Sequence, residues 1–148
     1  MVTGYEQDTA VAAEPRDDGG AAMPYSVQAK DCPARMVFDR LADKWSLLIV
    51  KVLRQGPCRF NQLRREIEGI SQKALSQTLQ KLERDGVVDR KAFATVPVTV
   101  EYSLTTLGRG LSDLIQPLAA WAEQHIEQVQ RAQQRYDRRR TARTASHD

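Results

Sequence analysis

The chain has 148 residues, with 22 Lys+Arg against 19 Asp+Glu and a formal net charge of +3, a length that suits one domain with a single core and some tail. Its longest apolar run, Leu47-Leu48-Ile49-Val50, is broken by Lys51, so it falls far short of the roughly 18 residues a membrane span needs. Two cysteines, Cys32 and Cys58, cannot supply a disulfide-rich scaffold or a four-thiolate zinc site. Met1 to Gly20 carries acids and no apolar h-region, so no secretory signal is expected and cytoplasmic residence is the default. Charge is uneven: residues 1–30 hold two bases against five acids, and residues 131–148 hold six arginines against two acids. The body between them is only mildly basic, so the arrangement of charge must argue for a nucleic-acid partner.

Three regions are expected. Residues 1–30, rich in Ala, Gly, Asp and Pro, read as a disordered or loosely attached leader. Residues 31–130 form the ordered domain. Residues 131–148 form a basic tail, read either as a solvated, fraying helix end or as a non-specific phosphate contact.

Asp31-Cys32-Pro33 opens the ordered part, and Pro33 suits the first turn of a helix carrying Met36, Val37, Phe38 and Leu41. Trp45, Leu48, Ile49, Val52 and Leu53 repeat at helical spacing over about Lys44–Arg54 and predict a core stripe. Gln55-Gly56-Pro57 ends that helix. Phe60, Leu63 and Ile67 share a face of a short third helix, followed by the turn Glu68-Gly69-Ile70. Ser71 caps a fourth helix, in which Leu75, Leu79 and Leu82 face inward and which stops at Asp85-Gly86. The period then becomes two, predicting strands over Val87–Phe93 and Val98–Leu104 joined by Ala94–Pro97. Thr105 caps a last helix carrying Leu107, Leu111, Leu114, Ile115, Leu118, Trp121, Ala122, Ile126 and Val129, with Gly108 and Gly110 loosening its start and Pro117 kinking it. The fold class is mainly α with a small antiparallel β-hairpin: a winged helix-turn-helix.

The helix from Ser71 to Arg84 offers Gln72, Lys73, Ser76, Gln77 and Gln80 opposite its leucines, with its first acids, Glu83 and Asp85, at the far end. A merely solvated helix face mixes Glu with Lys. This one presents amides, a hydroxyl and a cation, groups that make bidentate contacts to adenine or reach base edges and phosphate. Phosphate or wing contacts are expected from Lys44, Arg59, Arg64, Arg65, Ser71, Arg90, Lys91 and Thr95. The last helix carries an apolar stripe wider than a small domain needs; it either packs back on its own core or pairs with a second copy.

Several motifs together resemble the HxlR-type regulators. They are Cys32-Pro33, the run KWSLLI from Lys44, Gly56-Pro57-Cys58-Arg59-Phe60-Asn61-Gln62-Leu63-Arg64-Arg65, and GISQKAL from Gly69. Leu82-Glu83-Arg84-Asp85-Gly86-Val87-Val88, VEYSLT from Val100 and Leu107-Gly108 continue the match, which covers about residues 31–127. The resemblance implies a dimeric, MarR-like winged helix-turn-helix regulator of transcription. It places Ser71–Arg84 in the major groove and the wing near Ala94–Val98 at the minor groove. The dimer interface is assigned to the first and last helices, with Met36, Leu114, Leu118, Trp121 and Ile126 in it. It also implies a cysteine at the Cys32 position that responds to oxidants or electrophiles in many relatives.

Cys32 precedes Pro33 at an expected helix N-terminus, where the dipole favours a thiolate; a small buried hydrophobe is the equal alternative. Cys58 reads as an apolar contact or a neighbour of Arg59. No catalytic or metal site is expected: His125 and His147 are the only histidines, and no GxSxG, HExxH or phosphate-loop pattern occurs. The expected function is a homodimeric repressor binding double-stranded DNA at a near-palindromic operator, without a cofactor or membrane, and with a small-molecule or oxidant inducer left open. Alternatives are a winged-helix protein-interaction module and a small-ligand sensor with its pocket at the dimer interface.

Overall fold

The computed structural model describes residues 25–147, which fall in two units, one ending at Arg35 and one beginning at Met36. In the first, the Ala29 amide donates to the Ser26 carbonyl at 2.9 Å and the Cys32 amide to the Ala29 carbonyl at 3.1 Å. The Arg35 guanidinium clamps these turns, donating to the carbonyls of Val27 at 2.7 Å and Gln28 at 2.8 Å. Because the turns use up the segment to Ala34, α1 (Arg35–Ala42) begins later than Pro33 suggests, and Cys32 stands outside its first turn. Most of the leader expected over 1–30 lies outside the described residues.

The second unit continues with α2 (Lys44–Leu53), β1 (Cys58–Arg59), α3 (Phe60–Glu66), α4 (Gln72–Arg84), β2 (Val88–Phe93), β3 (Thr99–Leu104) and α5 (Thr106–Ala145). The sheet has three antiparallel strands in the order β1-β3-β2, one more than the expected hairpin. β1 pairs Cys58 with Tyr102 and Arg59 with Glu101. Two residues are too few to display a period, which is why alternation could not reveal this strand.

Ile49, Val50, Leu53, Leu63, Leu75, Leu79, Leu82 and Val88 form the centre of the core, each contributing about 1.5–3 kcal/mol by leaving water. The α2 stripe is rotated from its expected setting: Ser46 and Val50 are buried, while Leu48 is exposed. Asp43 caps α2 by accepting from the Trp45 amide at 3.1 Å and the Ser46 hydroxyl at 3.2 Å, which lets Ser46 sit inside. None of α1 is buried, and Met36, Val37 and Phe38 are each about half exposed. An ion pair from Arg40 to Asp85 ties α1 to the end of α4; that hydrogen bond to Asp85 holds the Arg40 pKa above its ordinary value.

Gly108 is required by close approach. A Cβ there would stand 2.1 Å from the Val87 carbonyl oxygen and 3.2 Å from Leu104 Cδ2. The same Val87 oxygen accepts the Thr105 amide at 3.1 Å, and Thr105 Oγ1 accepts the Gly108 amide at 2.9 Å as the cap of α5. α5 then runs 40 residues, with Pro117 inside it, through the 130/131 boundary at which a tail was expected.

Candidate nucleic-acid interface

The helix pair α3–α4 owes its geometry to a short turn. Gly69 adopts a φ of 85°, a left-handed value favourable to glycine. Ile67 and Ile70 on either side are buried and plug the angle between the helices. Ser71 begins α4 with an extended backbone, its Oγ accepting the Ala74 amide at 3.0 Å. The hydroxyl proton remains free to donate outward.

α4 is two-sided, as its periodicity predicts. Leu75, Thr78, Leu79 and Leu82 are buried. Thr78 was not among the expected inward residues; its Oγ1 returns to the Ala74 carbonyl at 2.7 Å, which satisfies the hydroxyl. Gln72, Lys73, Gln77 and Gln80 are exposed and Ser76 is half-buried at the edge of the same arc. Among the described residues none of these five side chains is held in a hydrogen bond or ion pair. The acid at the helix end, Asp85, is already committed to Arg40.

The expected phosphate contacts fall in several places. Arg64 and Arg65 lie exposed on α3. Arg59 and Lys91 both stand opposite Glu101 across β3, so the three side chains share one face of the sheet. Arg90, paired with Tyr102, belongs to the other face. Lys91 Nζ sits 5.0 Å from the Phe93 ring centroid, and Lys44 Nζ lies 4.5 Å from that of Trp45. Lys44 also lines a groove between α2 and α5. Thr95 shapes the wing tip: its Oγ1 donates to the Pro97 carbonyl at 2.8 Å and lies 3.1 Å from Thr99 Oγ1, leaving Val96 and Val98 exposed. Thr99 was not singled out from the sequence, because its role depends on which threonine it meets.

The apolar residues assigned to a dimer interface are exposed. Leu114 is 68% exposed, Trp121 55%, Met36 50%, Ile126 48% and Leu118 47%. Of the last-helix stripe, only Ile115 is buried and Leu111 half-buried, so the stripe does not pack back on its own core. Trp121 and His125 stack with ring centroids 4.8 Å apart, and His125 Nδ1 lies 2.8 Å from the Trp121 carbonyl.

Both cysteines are free and buried. Cys58 is a core residue, its Sγ 3.6 Å from the Gly56 carbonyl. Burial pushes its thiol pKa up, with Glu66 and Glu101 adding to the effect. Among the described residues no cluster of His, Cys, Asp or Glu has metal-holding geometry, and no helix is long and apolar enough to cross a membrane.

A three-stranded wing behind a helix pair, with a polar second helix turned outward, defines a winged helix-turn-helix protein. Residues 40–130 match the HxlR-like helix-turn-helix family, and the chain belongs to it. It is 46% identical over 101 residues to the HTH-type transcriptional regulator YtfH of Escherichia coli, covering 68% of this chain and 80% of the relative. The solved structure of the transcriptional regulator ytfH from Salmonella typhimurium is 42% identical, with a TM-score of 0.69 over 74% of this chain and 98% of that one. The redox regulator HypR in its oxidized form is 36% identical, with a TM-score of 0.59 over 63% of this chain and 96% of the other. The family is one of transcriptional regulators.

Proposed function

We propose that this chain is a homodimeric, sequence-specific DNA-binding repressor that occupies a near-palindromic operator in the cytoplasm. One observation carries the reading: α4 buries four side chains and turns five uncommitted polar ones outward. Gln72, Lys73, Ser76, Gln77 and Gln80 read base edges. Arg59, Arg64, Arg65, Ser71, Lys91, Lys44, Arg90 and Thr95 hold phosphate or shape the wing. The exposed apolar residues of α1 and α5 supply the dimer contact, since so many large apolar side chains left in water mark association. Two-fold symmetry sets two copies of α4 roughly 34 Å apart, one turn of duplex. On this reading the chain keeps a leader (1–30), a DNA-binding and dimerisation domain (31–130) and a basic tail (131–148), with α5 running on into the last.

Cys32 is the proposed redox or electrophile sensor, a reading supported by the similarity to HypR, a redox regulator. If Cys32→Ser leaves both DNA affinity and its response to oxidant unaltered, the sensor role is lost. Footprinting on DNA flanking the chain's own gene tests the main reading. Protection in two halves one turn apart, abolished by Gln72→Ala with Gln77→Ala, is expected; uniform binding without a footprint overturns it.

A ligand-sensing reading is favoured by the groove between α2 and α5. This open groove offers about 350 Å³, lined by Leu47, Leu48, Leu118 and Ala122 together with Lys44, Lys51 and one acid, Glu123. Two lysines against one carboxylate on an apolar lining suit a small amphipathic anion. Thermal shift with a panel of aromatic carboxylates tests it, and no shift beyond that of Leu48→Lys refutes it.

A further inference from the structure

α5 runs to Ala145, beyond residue 130 where the family match ends, and every residue from Ile126 to His147 is exposed. No packing holds this segment helical; the Ala, Arg and Gln that fill it do so through their own preference. It carries Arg131, Arg135, Arg138, Arg139, Arg140 and Arg143, with Asp137 as the only acid from Gln128 to His147. Among the described residues only Arg131 of these is in an ion pair, with Glu127 at 3.5 Å.

We propose that this arm, Arg131–Arg143, is a second DNA-backbone-binding surface, independent of sequence and separate from α4. Three observations select that partner. Leu118, Val129 and Tyr136 follow one another at helical spacing, and the same side then becomes Arg139, Arg140 and Arg143. A second copy of the arm laid along this side would bring arginine close to arginine, which disfavours pairing of arm with arm. Between Arg131 and Arg143 the only large apolar body is Tyr136, too little for the buried anchors of a protein interface. Six arginines against one acid instead fit a polyanion, and the arginine fork matches phosphate geometry. Tyr136, Arg139, Arg140, Arg143 and His147 share one exposed stripe of the helix, a basic surface that can follow a phosphate backbone.

The position of the arm makes this surface distinct. Ser112 of α5 is bonded to Arg54 of α2 at 3.1 Å. At 1.5 Å per residue, Arg139 lies roughly 40 Å further along the axis, about the length of twelve base pairs. On this proposal the arm engages either flanking duplex or a second duplex. Its choice of DNA among polyanions rests on the function proposed above.

The test uses the intact chain and the triple variant Arg139→Gln, Arg140→Gln, Arg143→Gln, which preserves helix preference and touches no core. Fluorescence anisotropy is read on random-sequence duplexes of about 15 and about 45 base pairs across a salt series. Losing three phosphate contacts flattens the log–log salt slope by about 2.7, so the wild-type advantage shrinks by about 40-fold between 50 and 200 mM salt. An advantage confined to the longer duplex identifies flanking DNA, and one at both lengths identifies a second duplex. Equal slopes for the two proteins overturn the proposal, as does a change in oligomeric state with unchanged slopes. Random duplex bound through the arm without any footprint would remove the α4 reading and leave this one standing.

Discussion

Two glycines two residues apart on α5 answer a methyl group with opposite signs. At Gly108 the added carbon meets the Val87 carbonyl oxygen at 2.1 Å and the Val87 carbonyl carbon at 3.1 Å. Both are backbone atoms in the link from α4 to β2, so neither can swing aside as a side chain would. Relief requires the first turn of α5 to move by about 1 Å, since carbon and oxygen rest near 3.3 Å or beyond. That shift breaks the Thr105-to-Val87 hydrogen bond, worth about 0.5–1.5 kcal/mol, and adds an overpacking penalty of about 1–3 kcal/mol. Alanine returns about 1 kcal/mol in helix preference. Gly108→Ala should therefore destabilise the domain by about 2 kcal/mol net. Gly110 has nothing within 4 Å of a built Cβ, so Gly110→Ala should stabilise by up to about 1 kcal/mol. Urea titration of both variants, followed by circular dichroism, measures the difference. A midpoint for Gly108→Ala at or above that of the parent chain would refute the reasoning, because no other contact compensates a backbone collision.

Further expectations concern the site. Gln77→Ala should reduce discrimination between operator and random duplex by about 1–3 kcal/mol, whereas Lys44→Ala should weaken both alike and flatten the salt slope by about 0.9; gel shifts showing uniform loss for both remove the distinction. Leu114→Lys should convert a light-scattering mass from two chains to one while the far-ultraviolet circular dichroism stays that of the folded chain, because within one chain this side chain is 68% exposed. An unaltered mass refutes the placement of the interface. Cys58 should resist alkylation in the native state, and stability should fall as pH rises above about 8.5. The sign follows from its raised pKa: the folded state keeps the proton longer, so stability present below the unfolded thiol pKa is lost as pH climbs through that value towards the folded one. Cys58→Ala should show a smaller decline, and an equal decline in both proteins discards this cause.

The features legible in sequence were those governed by short-range rules. Leu75, Leu79 and Leu82 fall on one arc by helical spacing alone, which at once sends Gln72, Gln77 and Gln80 to the other. Ser71 and Thr105 are recognisable as caps because a hydroxyl before an apolar-periodic run has one economical use. Features set by another part of the chain were not legible. Cys58–Arg59 becomes a strand only because β3 lies beside it. Leu48 faces out because α2 is apolar over most of its circumference, so periodicity alone does not say which arc turns inward. Gly108 looked like a loose first turn, and only the Val87 oxygen shows it to be a tight one. Beyond Val129 the apolar period fades while helix-forming residues persist, so periodicity does not show how far the solvated helix end runs, and composition carries it to Ala145.

The end of α4 is the point at which the proposed dimer elements meet the proposed reading head. Asp85 takes the ion pair from Arg40 of α1. One residue on, the Gly86 carbonyl accepts the Thr105 hydroxyl at 2.6 Å, and the next carbonyl, Val87, accepts the Thr105 amide. The Thr105 hydroxyl thereby bridges the two, donating to the Gly86 carbonyl and accepting from the Gly108 amide. Three consecutive residues at the close of α4 thus fasten both helices that carry the exposed apolar residues. Gly108 removes the slack that a side chain would need, so α5 cannot slide on this joint without dragging Val87. Close-packed joints of this kind shift between discrete arrangements and do not bend smoothly. In the proposed dimer, a rotation of α1 or α5 would therefore be transmitted through this joint to the C-terminal end of α4, and with it to the row from Gln72 to Gln80.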